Sequence, residues 1–259
     1  MDFQGKVVLV TGAGRSIGAA IARAFAAQGA AVAINYLRDE VSATRTAAEC
    51  QALGREAGGD ALALQADVSD AAAAARLVQQ VVDEFGRLDV VVNNAFAPYT
   101  FDPEQRRRFA ETAWDDYRTQ FEGAVGAAHH VCRAALPHLA RRAQGAIVNV
   151  ASSLVEHPVV PYHDYATAKS ALVGFSRNLA AELGPQGVRV NCVAPGLVYP
   201  TRSSEGTRAG FREAIMQATP LRRLARPEDV AGPVLFLASQ HSTFVTGQVL
   251  LVDGGLAMR

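Results

Sequence analysis

Seven short apolar runs punctuate the chain, at 6–10, 31–35, 61–65, 89–93, 146–151, 188–194 and 248–253. They read KVVLV, AVAIN, ALALQ, DVVVN, AIVNVA, VRVNCVA and QVLLVD. Their apolar residues are continuous rather than alternating, the mark of strands buried on both faces. Between them lie segments of helical period at 17–28, 41–53, 70–85, roughly 112–142, 162–183 and 227–238. Gly29 and Gly184 are placed to stop two of these helices, and Ser69–Asp70 and Pro227 to start two others. Strand–helix alternation predicts an α/β fold: one doubly wound parallel sheet of about seven strands, with right-handed crossovers and helices on both faces. No linker, repeat or break in composition divides 1–259, so a single domain is expected. The alternation lapses over 195–220, which carries Pro, Gly, Ser and Arg. A loop with a short helix is expected there, and 196–220 is the segment placed to cover a substrate.

Composition narrows the function. The 259 residues are 49% apolar, ample for one core. Lys and Arg total 25 and Asp and Glu total 25, so no broad field draws the chain to nucleic acid or an anionic membrane. The run RRR at 106–108 is too short to change that and reads as a solvated face. Cys50, Cys132 and Cys192 lie far apart with no CxxC pair, which indicates neither a zinc site nor a disulfide framework. His129 and His130 are adjacent and point about 100° apart on a helix, so they cannot chelate together. No metal is expected. No cleavable leader and no apolar run near the ~20 residues of a spanning helix are visible, which suits a cytoplasmic protein with no membrane segment.

The first chemical motif is VTGAGRSIG at 10–18, a glycine-rich turn between the first strand and its helix. Gly12 allows a tight turn, Gly14 keeps the loop slim, and Gly18 lets the helix approach the sheet. Arg15, Ser16 and Ile17 complete the turn and open the helix. A helix N-terminus there offers unpaired N–H groups to a pyrophosphate. In strand–turn–helix context this predicts a dinucleotide and a Rossmann-type sheet; the bland alternative is a plain structural turn. NAD sites usually place an acid about 20 residues further on, for the ribose hydroxyls. Tyr36 lies 18 residues after Gly18, and no acid occupies 35–38. Arg15 and Arg38 bracket the region instead, and guanidiniums suit a 2′-phosphate. NADP(H) is expected over NAD(H), unless both arginines are merely solvated.

The second motif lies in YHDYATAKSA at 162–171. Four residues advance a helix by about 400°, so Tyr165 and Lys169 share one face. A nearby ammonium is expected to lower the phenol's pKa from near 10, so that it can exchange a proton close to neutral pH. Ser152, in NVASS at the end of the preceding strand, can hydrogen-bond a substrate carbonyl; its bland reading is a strand-end hydroxyl. His157 and His163 flank this region and read as solvated loop residues. A Ser–His hydrolase is disfavoured because no GxSxG elbow exists.

Together these segments resemble the short-chain dehydrogenase/reductase family over nearly the whole chain, nearest to 3-oxoacyl-[acyl-carrier-protein] reductases. TGAGRSIG resembles the family's TGxxxGxG loop, ADV (66–68) its adenine-contacting segment, NNA (93–95) its NNAG, and YATAK its YxxxK. NVASS, VAPG (193–196) and TGQVLLVDGG (246–255) follow in the expected order. The resemblance implies hydride transfer between nicotinamide and a carbonyl or alcohol. Ser152 would orient the carbonyl, Tyr165 exchange the proton, and Lys169 tune Tyr165 and hold the nicotinamide ribose. Asp67 and Val68 would border the adenine, Asn94 and Ala95 line the cofactor, and Pro195, Gly196 and Val198 meet its nicotinamide end. It also implies a homotetramer acting on a small-molecule or acyl-thioester carbonyl. Sugar, polyol and steroid-type alcohol dehydrogenases stay open as alternatives, as does a cofactor-binding protein without catalysis. Arg202, Arg208, Arg222, Arg223 and Arg226 lie where an acyl-carrier partner could approach.

Three departures from the pattern stand out. Ser16 replaces the loop's middle glycine, adding a Cβ and a hydroxyl that could bond a phosphate. Phe96 replaces the glycine of NNAG and is expected to wall the pocket. The family's asparagine before NVASS is absent: aligned from Gly145 the position falls on Ala124, and from Trp114 on Phe121, so an insertion is expected. A water relay through Gln120 or Glu122 could replace that amide at Lys169. Gly123, Ala124, Gly126, Ala127 and Ala128 could let this helix pack closely on a neighbour, in this chain or another.

Overall fold

The valine-rich run after Lys6 forms β1 (Val7–Val10), and all four of its residues are buried. The computed structural model describes residues 2–141 and 144–258. Among them, seven strands form one sheet in which every pairing is parallel. The others are β2 (Ala31–Tyr36), β3 (Ala61–Gln65), β4 (Val90–Asn93), β5 (Ala146–Val150), β6 (Arg189–Pro195) and β7 (Val249–Val252). Their spatial order is β3-β2-β1-β4-β5-β6-β7. The chain winds one way from β1 to β3 and the other from β4 to β7. The resulting switch point lies between the C-terminal ends of β1 and β4, where an open parallel sheet binds its ligand.

Helices cover both faces, as the continuous apolar strands require. On one face α1 (Ser16–Ala26), α2 (Glu40–Gly54) and α8 (Pro227–Ala238) contribute Ile21, Phe25, Ala43 and Val234 to a core with Val8, Val32 and Val148. On the other, α3 (Ala71–Phe85), α5 (Ala127–Ala140) and α6 (His163–Leu183) contribute Leu77, Val131, Leu139 and Leu183 against Leu9, Val91 and Ile147. Two helices start as their sequences direct: Asp70 accepts from Ala73 N at 2.6 Å, and Pro227 is the first residue of α8. The segment 196–220 holds one short helix, α7 (Ala209–Ala218).

The expected single helix over 112–142 is divided. It runs as α4 (Trp114–Phe121), a wide π-turn at Glu122–Gly126, then α5; Arg142 lies outside the described residues. The π-turn falls where the two alignments of the missing asparagine diverge, between Phe121 and Ala124. A π-turn takes up extra residues without breaking the helix. Close approach also explains Gly123: a Cβ there would stand 2.5 Å from the backbone nitrogen of Ala97. Part of the small-residue stripe is thus consumed within the chain: Gly123 abuts Ala97, while Ala124, Ala127 and Ala128 are buried. Among the described residues no helix is long and apolar enough to cross a membrane.

Candidate active site

The glycine-rich turn leaves β1 at the switch point and is held by side chains from two other strands. Asn35, buried in β2, accepts from Gly12 N at 3.2 Å and donates to Ala66 O at 3.1 Å. Asn94, just beyond β4, donates to Thr11 O at 2.9 Å and Gly12 O at 3.1 Å. Thr11 Oγ1 in turn accepts from Asn94 N and Ala95 N, both at 3.0 Å. The Asn94 amide therefore fixes the turn, and Ala95 stands directly against Gly12. Gly14 is buried and its carbonyl accepts from Thr46 Oγ1 at 3.1 Å. A Cβ on Gly18 would come within 2.5 Å of Gly12 O, so only glycine lets α1 start this close to the loop.

Among the described residues no side chain caps α1. Its N-cap, Arg15, makes no side-chain capping bond, and its first turn holds no acid, whereas Asp39 and Asp70 cap α2 and α3. The first-turn N–H groups are left for an external anion. A slim cradle with an uncapped helix end fits the pyrophosphate of a dinucleotide. Ser16 has φ +52°, a left-handed conformation that glycine adopts freely. Ile17 is partly buried against the core.

Around the end of β2, Tyr36 is half-buried and Arg38 exposed. Arg15 bonds Asp39 at 2.9 Å. Asp39 is an acid just past the stretch read as acid-free. Hydrogen bonds from Ser42 hold its carboxyl below the ordinary carboxylate range, with Arg15 adding to them. Asp67 is exposed and accepts from Ser69 N and Oγ, while Val68 is buried beside it. At the other flank Pro195 ends β6, Gly196 N donates to Val252 O at 3.0 Å, and Val198 is buried. All these positions lie along the C-terminal edge of the sheet.

Ser152, Tyr165 and Lys169 come together at the end of β5. Ser152 follows the strand and accepts from Leu154 N at 3.3 Å. Tyr165 and Lys169 are both buried on one face of α6. Lys169 Nζ donates to Val150 O at 2.7 Å and lies 5.1 Å from the centre of the Phe96 ring. Among the described residues the carbonyl is its one hydrogen-bond partner, and neither Gln120 nor Glu122 reaches it. A carbonyl and a ring thus meet the ammonium directly, and neither of those two side chains touches it.

The phenol's pKa also departs from the expectation. Burial pushes Tyr165 above its ordinary value, with a hydrogen bond to Ser152 pulling the other way. Lys169 is buried as well, and desolvation brings its ammonium down to about 8. The physical source is an aromatic enclosure that the sequence reading missed apart from Phe96. Around Tyr165 stand Phe96, Tyr99 and Phe101, with ring centres at 5.9, 5.1 and 5.1 Å. Tyr99 donates to Asp164 at 2.9 Å, tying the enclosure to the residue before Tyr165. Three rings in FAPYTF at 96–101, with Tyr162 and Tyr165 at the start of α6, were the available signal, but no sequence period says that a loop folds back on a helix.

The profile described as Enoyl-(Acyl carrier protein) reductase matches residues 12–257. The 3-oxoacyl-[acyl-carrier-protein] reductase FabG of Chlamydia muridarum is 36% identical over 252 residues, 97% of each chain. The chain belongs to the short-chain dehydrogenase/reductase family. Its fold is that of a short-chain dehydrogenase/reductase from Serratia marcescens BCRC 10948, with TM-score 0.88 and 34% identity over the whole of both chains. A 7α-hydroxysteroid dehydrogenase complexed with NADH and 7-oxo glycochenodeoxycholic acid matches with TM-score 0.85 and 29% identity, over 98% of this chain and 95% of that one. As a member of this family the protein is an oxidoreductase that uses a nicotinamide cofactor.

Proposed function

We propose that the protein is an NADP(H)-dependent reductase of a carbonyl to an alcohol, of the 3-oxoacyl-acyl-carrier-protein reductase type, acting in the cytoplasm as a homotetramer. The observation that carries this reading is the convergence of Ser152, Tyr165 and Lys169 beside the glycine-rich turn. Gly12, Gly14, Arg15, Ser16, Ile17 and Gly18 hold the pyrophosphate. Tyr36, Arg38 and Arg15 take the 2′-phosphate end, Asp67 and Val68 border the adenine, and Asn94 and Ala95 line the middle. Pro195, Gly196 and Val198 border the nicotinamide end. The nicotinamide, when bound, supplies the hydride.

Ser152 donates a hydrogen bond to the carbonyl oxygen and fixes its position. Tyr165 gives that oxygen its proton. Burial keeps the phenol protonated at neutral pH, so the acid is armed before the substrate arrives. The Lys169 ammonium, held by Val150 O, favours the phenolate left behind and bonds the nicotinamide ribose. The 196–220 segment closes over the substrate and keeps water out.

Turnover of NADPH with a panel of ketones tests this reading. Tyr165→Phe should lose at least a hundredfold in kcat while cofactor binding, followed by fluorescence, stays within twofold. Unchanged kcat in that variant rejects Tyr165 as the acid. The enclosure of Tyr165 by rings favours the steroid-type alternative over sugar and polyol substrates, since those carry many hydroxyls and the rings offer them few partners.

A further inference from the structure

The rings around Tyr165 occupy the space that a substrate must enter. Tyr162, Tyr165 and Val160 form a separate apolar cluster, against which Phe96, Tyr99, Phe101 and Phe211 pack. Tyr99 stands edge-on to Tyr162 at 5.7 Å, and Phe101 edge-on to Tyr162 at 5.5 Å. Edge-to-face rings at these separations attract each other beyond simple area burial. A guest that reaches Tyr165 has to part these contacts. It is favoured if it gives each ring an equivalent partner.

Two polar groups nearby are already committed. Tyr99 Oη donates to Asp164, and the buried Asp102 accepts from Glu104 N at 3.0 Å. A chain of amides and thioesters would lose its water beside these rings and find neither of those two groups free.

A groove of about 360 Å³ opens beside this cluster, lined by Asp102, Pro103, Glu104, Arg208, Gly210 and Phe211. Its size lies within the ~300–1,000 Å³ of ordinary ligand clefts. Phe211 belongs both to the groove and to the ring cluster, so that one side chain is shared between them. The far wall is firm. Phe101 N donates to Ser203 O at 2.9 Å, and Phe101 O accepts from Thr207 Oγ1 at 2.8 Å.

We infer that the substrate carries its carbonyl on a flat apolar ring system, admitted between Pro103 and Phe211 and gripped by Phe96, Tyr99 and Phe101. This rests on the carbonyl-reducing reading given above, and it replaces the linear acyl thioester of that reading with a cyclic ketone. Phe96 and Phe101 are the specificity-determining residues. Where a glycine replaced Phe96, one wall of the slot would be missing.

The test compares the full-length protein with NADPH on 1-tetralone, a bicyclic aryl ketone, and on the N-acetylcysteamine thioester of acetoacetate, a linear one. The expected kcat/KM ratio favours the tetralone at least tenfold. Phe96→Gly and Phe101→Ala each lower that ratio at least tenfold. Phe101→Leu, which keeps apolar volume and should fold where the alanine variant does not, lowers it at least threefold. A preference for the thioester, or a ratio unmoved in the folded variants, overturns the inference. Calorimetric titration of 1-tetralone into the protein with NADP⁺ separates the two readings. Binding that weakens tenfold in Phe101→Leu, with no turnover of either ketone, supports the ring slot and removes the carbonyl reductase. Thioester turnover with no tetralone binding does the reverse.

Discussion

The Lys169 ammonium faces the ring of Phe96 at 5.1 Å, at a position where the family's NNAG motif carries only a hydrogen. The ring is partly buried and the cation almost wholly so, with Lys169 2% exposed. A ring can return part of the hydration that a buried cation loses, but not all of it. Desolvation wins, and the ammonium falls from its ordinary value of 10.5 to about 8.

This shift has a stability signature. At pH 7 Lys169 is protonated in both folded and unfolded chains, and the folded chain bears the full penalty of burying the charge. Between about 8 and 10.5 the unfolded chain keeps the proton and the folded chain has released it. Stability from this group therefore rises with pH through that window, by a few kcal/mol in all. Lys169→Met has no such term. Its melting temperature relative to the parent should be most favourable at pH 7 and should fall steadily as pH rises from 8 to 10. The orphaned Val150 carbonyl adds an offset that does not vary with pH. A difference that stays flat across these pH values would contradict a buried ammonium.

The Arg15–Asp39 pair sets a second expectation. At 2.9 Å the carboxylate occupies the guanidinium proposed for the 2′-phosphate, and it would also repel that phosphate. Asp39→Asn frees Arg15 and keeps a good cap on α2, because Asn caps as well as Asp. The NADPH-over-NADH ratio of kcat/KM should rise about tenfold, equal to ~1.4 kcal/mol. Thermal stability should barely move. A ratio that falls, with folding intact, would mean that Asp39 serves the ribose hydroxyls of NAD(H) instead.

Ser16 stores strain at φ +52° in the first residue of α1. Ser16→Gly relieves it, at the expense of a freer unfolded chain. The net gain should be about 1 kcal/mol, or roughly 2–4 °C in melting temperature for a chain of this size. Loss of stability in this variant would show that the hydroxyl, which sits 3.5 Å from Arg202 N, matters more than the backbone.

Much of the architecture was legible because strands buried on both faces write themselves as unbroken apolar runs. VVLV, VVVN and AIVNV became β1, β4 and β5 for that reason, and alternation with helices left one topology class. Ser152, Tyr165 and Lys169 were legible by spacing, since strand end and helix turn fix their places. Other features escaped for definite reasons. The π-turn at Glu122–Gly126 keeps helical composition, so no residue announces it. Asn35 was a lone polar residue in an apolar strand, but its bond to Gly12 joins segments 23 residues apart. Asp39 lies one residue beyond 35–38, past the end of β2, where spacing alone does not place a ribose-binding acid. The rise in the Tyr165 pKa depends on Tyr99 and Phe101 folding over from a loop, and burial of that kind has no period. Spacing predicted that lysine and phenol are neighbours. It could not predict that both are dry.

The backbone of Phe101 is hydrogen-bonded on both its N–H and its C=O to the stretch from Ser203 to Thr207, and Glu104 is ion-paired with Arg208 nearby. Two loops more than ninety positions apart in the chain are thus tied into one panel. A graft that swaps only one of them from a homologue would inherit a mismatched half. Retuning this enzyme toward a new substrate is therefore a problem of paired transplantation, in which both edges must come from the same donor.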